Sequence, residues 1–168
     1  RHAELIIADL GLQDAKTVTT PGTRDDVAQA ETENENDAAV LSQKDTTSYR
    51  GICARLNYLA LDRPDIQFAA KSASRRMSAP RSGDWVLLKR VGRYLKRVPR
   101  MAQLFEWQSW PEEVNTLVDS DWAGCKATCK STSGGVMMIG KHIIKSWSST
   151  QATIALSSVE AELYALVK

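Results

Sequence analysis

The 168-residue sequence predicts a mixed α/β (α+β) fold, and three observations carry that expectation. Between Thr46 and Val98, apolar residues recur every three or four positions, the period of helices that share a core. Beyond Pro99 the pattern changes to short apolar runs broken by Pro111, Gly134 and Gly140-Lys141, as strands and their turns read. From Ser157 a helical pattern returns. Strands followed by a helix imply a sheet with a helix packed on it.

Taken in order, residues 2–12 read as a short apolar helix that stops near Gly11. Residues 17–45 contain Pro21-Gly22, few large apolar side chains and a Glu/Asn-rich run from Glu31 to Asp37. They bury too little to order themselves, so 24–45 is expected to be an acidic, disordered linker. Thr46 or Thr47 then caps a helix with Ile52, Leu56 and Leu59 on one face. Pro64 suits the first position of the next helix, followed by Ile66, Ala69, Ala70, Ala73 and Met77. Ser82-Gly83-Asp84 opens a third, with Trp85, Leu88, Val91 and Leu95 as its apolar stripe. Residues 101–107, Val114–Asp121, 135–140 and 142–147 read as strands. Ser157 or Ser158 caps a final helix that carries Glu160 and Glu162.

Composition narrows the classes of function. No apolar run approaches the roughly 20 residues needed to span a bilayer, and no signal peptide is visible at Arg1, so no membrane partner is expected. Cys125, Cys129 and His142 fit no zinc spacing, and Cys53 reads as a small core residue. Ser157-Ser158 has no nearby histidine base and reads as a cap, not a nucleophile. The net charge of +2 conceals an asymmetry. Residues 24–45 carry seven acids against Arg24 and Lys44, whereas 71–100 carry ten basic residues against Asp84 alone. On the third helix Lys89, Arg93, Lys96 and Arg100 recur at helical spacing as a cationic stripe. Such a stripe suits the phosphates of a nucleic acid without reading sequence; a solvated face is the plainer alternative. Trp85 and Trp122 are expected to be buried anchors in preference to base-stacking platforms.

Two acidic clusters, about forty residues apart, point to chemistry. Val118-Asp119-Ser120-Asp121-Trp122-Ala123-Gly124 ends an apolar run, and Leu156-Ser157-Ser158-Val159-Glu160-Ala161-Glu162-Leu163-Tyr164 opens a helix. An acid on a strand end and an acid at a helix start can converge on a divalent cation. Alternation puts Asp119 and Asp121 on one side of their strand, so either can face a metal. Asp in a turn and Glu at a helix N-terminus also have purely structural uses.

Between the clusters lie Lys130-Ser131-Thr132-Ser133-Gly134 and Trp147-Ser148-Ser149. This ordered set resembles the ribonuclease H domain of copia-type LTR retrotransposon polyproteins, whose pattern runs S-D-A-D-W-A-G, K-S-T-S-G, W-S-S, S-S-x-E-A-E-Y. Upstream, Tyr49-Arg50-Gly51, Leu56-Asn57-Tyr58-Leu59-Ala60 and Arg63-Pro64-Asp65-Ile66 are similar to the segment joining reverse transcriptase to ribonuclease H. The resemblance covers residues 45–168, and 1–24 more loosely through Thr20-Pro21-Gly22.

The resemblance implies four regions: the end of reverse transcriptase (1–23), the linker (24–45), a helical connection segment (46–100), and a ribonuclease H-like mixed sheet with its packing helix (101–168). It implies hydrolysis of the RNA strand of RNA/DNA hybrids during reverse transcription. Asp119 and Glu160 are the implied catalytic residues and metal ligands, Asp121 a further candidate ligand, two Mg²⁺ ions the cofactor, and Lys89, Arg93, Lys96 and Arg100 the hybrid-binding face. The family pattern favours Glu160 over Glu162. The implied partners are the hybrid and the rest of the Pol polyprotein with its reverse transcriptase, in a cytoplasmic virus-like particle or the nucleus.

Departures are Leu117-Val118 before the first Asp, Gly135 where an aromatic residue is usual, and Ser149-Thr150-Gln151 where basic residues are common. The chain starts without Met and stops at Lys168 inside a helical pattern, before the strand that carries the family's third carboxylate. It is therefore expected to be a C-terminally truncated fragment with little nuclease activity alone. The alternative is a decayed or domesticated remnant that binds nucleic acid and catalyses nothing.

Overall fold

A computed structural model of the chain describes residues 1–36, 40–125 and 128–167, and of 31–36 the backbone only. Residues 37–39, inside the expected linker, and Lys168 lie outside the described residues. The chain forms two compact units, Arg1–Ala102 and Gln103–Lys168.

The first unit is built of helices. Helix α1 (His2–Asp9) buries Ala3 and Ile6. It ends as the sequence predicts: Gly11 takes φ +63, its N–H donates to the Ala8 carbonyl, and the Leu12 N–H donates to that of Ile7. Residues 24–36 correct the linker expectation, because Arg24–Asn36 forms helix α2. The Thr23 hydroxyl accepts from the Asp26 N–H at 3.2 Å while the Asp26 carboxylate accepts from the Thr23 N–H at 2.7 Å, a reciprocal cap. Ala30 then docks in the core and Asp26 pairs with Arg90 at 3.7 Å, so part of the acidic excess meets the basic one.

Helix α3 (Gln43–Ala60) starts earlier than expected. Its cap is Ser42, whose hydroxyl accepts from the Asp45 N–H, and Thr46 lies buried within the first turn. Tyr49, Ile52, Cys53 and Leu56 form its inner face, and burial pushes the Cys53 thiol up to about 12, so it packs as an inert small side chain. Pro64–Ile66 is a single 3-10 turn that leads into α4 (Gln67–Ser74), which ends before Met77. Helix α5 (Trp85–Arg97) buries Leu88, Val91 and Leu95 as its periodicity demands, and Trp85 is half-buried with its ring edge-on to Tyr49.

One polar network ties these helices together. Arg63, 4% exposed, donates Nε and Nη2 to the two oxygens of Asp65 at 2.9 and 2.8 Å. Nη2 also donates to the Val98 carbonyl beyond α5, and the Tyr94 hydroxyl donates to Asp65 at 2.8 Å. A buried guanidinium is tolerated only with such a planar, bidentate partner.

In the second unit, residues 103–113 run without a ladder, where a strand over 101–107 was expected. Side chains replace the ladder, since Gln103 and Gln108 donate to the Ile143 and Ile139 carbonyls. Strands β1 (Val114–Asp121), β2 (Thr132–Ile139) and β3 (His142–Thr150) pair in the order β1-β2-β3, both pairs antiparallel. The mixed sheet expected from the resemblance is thus purely antiparallel among the described residues. The β2–β3 loop is Gly140-Lys141, with φ +57 at Gly140 as a type II′ turn requires. Gly135 pairs with Trp147, and a Cβ at Gly135 would lie 2.1 Å from that indole, so the ring takes the room an aromatic residue there would need. Helix α6 (Ser158–Leu166) is capped by Ser157 and buries Ala161 and Ala165. Among the described residues no helix is long and apolar enough to cross a membrane.

The Arg63 network sets a pH dependence. Burial alone would push the Asp65 carboxyl up; the bonds from Arg63 and Tyr94 outweigh it and hold the group below its usual range. A depressed carboxylate stabilises the fold fully above the unfolded value of about 3.9 and loses that contribution as pH falls below it. Asp65→Ala is expected to cost about 3 kcal/mol in urea unfolding at neutral pH, because it strands a buried guanidinium. The gap from the parent should narrow markedly near about pH 3.

Candidate active site

Helix α6 approaches the end of β1, where Glu162 reaches the backbone amide of Ser120. Strand alternation puts Asp119 and Asp121 on one face of β1 and Ser120 on the other, opposite Ser133 of β2. Ser133 is fully buried, and Gln151 bridges its hydroxyl (3.0 Å) to the Ala161 carbonyl (2.8 Å), so the serine face is the one α6 covers. Asp119 emerges on the other face, exposed. Among the described residues nothing hydrogen-bonds to its carboxylate or pairs with it.

Asp121 has a structural task. It accepts from the N–H of Thr132, its partner across the ladder, and closes the loop between β1 and β2. That loop holds Ala123 at φ 50, with its N–H donating to the buried Ser131 hydroxyl at 3.0 Å. Asp121 is half-buried and Asp119 is the more exposed of the two. Trp122 anchors the loop through its indole N–H, which donates to the Ala155 carbonyl at 3.1 Å. Its ring remains 55% exposed, against the expectation of a buried anchor.

The two glutamates of α6 divide their work differently from the sequence reading. Glu160, at the third position of the helix, is engaged locally at both oxygens. One accepts from the Leu156 N–H at 2.7 Å and the other from the Tyr164 hydroxyl at 2.8 Å. The Leu156 amide and the Tyr164 hydroxyl hold its carboxyl below the usual carboxylate range. With Ser157 this completes a cap, since the Ser157 hydroxyl accepts from the Glu160 N–H. Glu162 is the residue that reaches β1. One of its oxygens lies 3.3 Å from the Ser120 amide nitrogen and accepts its N–H, against the peptide that joins Asp119 to Ser120. The Ser120 N–H faces the outer edge of β1, which no strand covers among the described residues. The favoured Asp119–Glu160 pair is therefore not joined by any contact, and the neighbouring acid stands closer to the strand. No group of three His, Cys, Asp or Glu side chains able to hold a metal forms among the described residues.

The chain is similar to several known proteins. Over 167 residues the chain is 35% identical to an uncharacterized mitochondrial protein of Arabidopsis thaliana, covering 99% of this chain and 65% of that one. Over 119 residues it is 40% identical to each of the retrovirus-related Pol polyproteins from transposons RE2 and RE1 of the same plant, covering 70% of this chain. The chain belongs to the copia-type retrotransposon Pol family. It spans 65% of the first relative and 8% of either polyprotein. No family model and no solved structure matches it.

The basic stripe of this Pol segment is only partly available to a ligand. Arg93 donates to the Lys16 carbonyl at 2.7 Å and Lys96 to the Ala15 carbonyl at 2.8 Å. Arg90 donates to the carbonyl and hydroxyl of Thr20. These cations fasten residues 15–20 over α5, in a segment with no repeating structure to satisfy its own carbonyls. Lys89 and Arg100 stay exposed, together with Arg97. The sequence could not reveal this, because a carbonyl acceptor has no residue signature.

Replacing Arg93 and Lys96 by Ala should therefore lower stability by about 1 kcal/mol each in chemical unfolding, the worth of a partly exposed charged hydrogen bond. The same pair should scarcely change the salt dependence of nucleic-acid binding. Removing Lys89 and Arg100 should reduce that slope by up to about 2 wherever the face contacts phosphates.

Proposed function

We propose that the second unit is the opening part of a ribonuclease H-like domain, in which β1 and α6 present carboxylates for cleavage of the RNA strand of an RNA/DNA hybrid. The observation that carries this reading is the approach of Glu162 to the Asp119–Ser120 peptide at the open edge of β1. The ordered motifs and the Pol polyprotein relatives support it from another direction.

Phosphodiester hydrolysis needs an activated water and neutralisation of the charge that grows on the phosphate and the leaving oxygen. Mg²⁺ ions supply both when bound, and hard oxygen donors are what they select. The donors here fit that preference: Asp119 offers an exposed, unengaged carboxylate, and Glu162 is held by a single long bond to an amide. Asp121 keeps one oxygen on the Thr132 amide, which fixes the strand end from which Asp119 projects. Glu160 maintains the start of α6 and so positions Glu162 one turn-fraction later. Two acids hold divalent ions weakly, and the family's third comes from a strand that follows this helix. The partners in this reading are the hybrid and the remainder of the Pol polyprotein with its reverse transcriptase. The setting is the element's virus-like particle.

A second reading is a nucleic-acid-binding remnant without catalysis. The exposed Lys89, Arg97 and Arg100 favour it, as does the lack of a three-acid group among the described residues.

The test is cleavage of a labelled RNA/DNA hybrid in Mg²⁺ by a chain carried through the next strand and its acid. Asp119→Asn and Glu162→Gln are each expected to reduce the rate by at least about a hundredfold, since each removes charge from the cation's ligands while keeping size. Glu160→Gln should cost far less than either. A folded, extended protein that leaves the hybrid intact would favour the remnant.

A further inference from the structure

The irregular segment 103–113 is held on the β2–β3 hairpin by a closed hydrogen-bond cycle centred on His142. The Nε2 of His142 lies 2.7 Å from the Glu106 carbonyl oxygen, which can only accept, so Nε2 carries the proton. The Nδ1 lies 3.2 Å from Nε2 of Gln108, which can only donate, so Nδ1 is the bare, accepting nitrogen. The orientation of the Gln108 amide is fixed independently. Its Nε2 also donates to the Ile139 carbonyl at 3.0 Å, and its Oε1 accepts from the Lys141 N–H at 2.9 Å. Phe105 stacks edge-on against the imidazole with centroids 5.2 Å apart. A Cβ on Gly140 would lie 2.4 Å from Gln108 Oε1, so the glycine turn is also what admits the amide.

Every donor and acceptor in this cycle is matched, and only for neutral imidazole. We propose that His142 and Gln108 form a proton-sensitive latch that holds segment 103–110 to the hairpin at neutral pH and releases it in acid. A proton on Nδ1 would point an N–H at the Gln108 amide nitrogen. Turning the amide round to accept it would set that nitrogen against the Lys141 N–H and lose the Ile139 carbonyl, so one contact breaks in either orientation. A group that must be neutral in the closed state stabilises it only while it lacks the second proton, and that contribution is lost when the proton is taken up. The charged side chains carried by the segment are Glu106, Glu112 and Glu113, and those of the hairpin beside His142 are Lys141 and Lys145, all exposed. From β2 the paired neighbours are Ile139 and Met138, and from β1 Val114 pairs with Ile139; none of these titrates. Release would free the stretch that carries Trp107 and Trp110, already 91% and 92% exposed.

The experiment is imidazole ¹⁵N NMR of the full chain across pH 5 to 8, alongside hydrogen exchange of the Lys141 amide corrected for its intrinsic pH dependence. The chain has two histidines, and His2→Gln assigns the signals. The expected spectrum at neutral pH is the Nε2–H tautomer for His142. As His142 takes up its proton, Lys141 protection should fall about three- to tenfold, the factor one net hydrogen bond is worth. His142→Asn keeps an acceptor for Gln108 and should make the protection independent of pH. Gln108→Glu should invert the response, with tighter closure in acid, because a carboxylate accepts from imidazolium. An Nδ1–H tautomer at neutral pH, or Lys141 protection unchanged through the titration, would overturn the latch.

Discussion

The second unit depends on how closely α6 can lie against the sheet. The helix presents Ala161 and Ala165, and the face of the sheet beneath it presents Ser120 and Ser133. Small side chains on both surfaces let the backbones approach, and Gln151 then spans from the Ser133 hydroxyl to the Ala161 carbonyl. A residue one position further along the helix from Ala161 falls at the strand edge, and that residue is Glu162. Larger residues at 161 or 165 would lift the helix and carry Glu162 away from β1. The arrangement of acids thus follows from packing of the smallest residues in the unit.

In the first unit the decisive constraint is different. Its helices are joined by segments whose carbonyls lack a ladder, and basic side chains of α5 supply the missing donors. Arg63 does the same for the Val98 carbonyl while bound to Asp65. A run of positive charge in sequence therefore contains two populations: cations engaged with the chain's own backbone, and exposed ones such as Lys89 and Arg100. Only the second population is at hand for phosphates.

Local chemistry explains what the sequence made legible. The Ser157 cap, the Gly11 terminus, the α5 stripe and β1 each depend on residues within a turn or two, and each lies where pattern and propensity put it. The differences from the sequence reading arise where a local cap was outweighed by composition, or where the partner is distant in sequence or unmarked by residue type. Helix α2 was hidden because composition argued for disorder, while the Thr23–Asp26 cap and the Ala30 contact supply order that composition does not register. Residues 101–107 form a short, largely apolar run that reads as a strand, yet amide side chains at 103 and 108 hold that stretch in place of a ladder. Choosing between Glu160 and Glu162 requires the rotation of α6 about its axis relative to β1, which only the packed alanines determine. The family motif favours Glu160, which is engaged by the Leu156 amide and the Tyr164 hydroxyl, whereas Glu162 contacts the Ser120 amide.

The most direct measurement of the central claim is a Mg²⁺ titration followed by the side-chain carboxyl ¹³C signals of the chain. The account predicts that Asp119 and Glu162 shift together with one apparent affinity, weak because two acids hold the ion, while Glu160 stays on the Leu156 amide and moves little. A shift at Glu160 with Glu162 silent, or Asp119 and Glu162 responding with unrelated affinities, would contradict it.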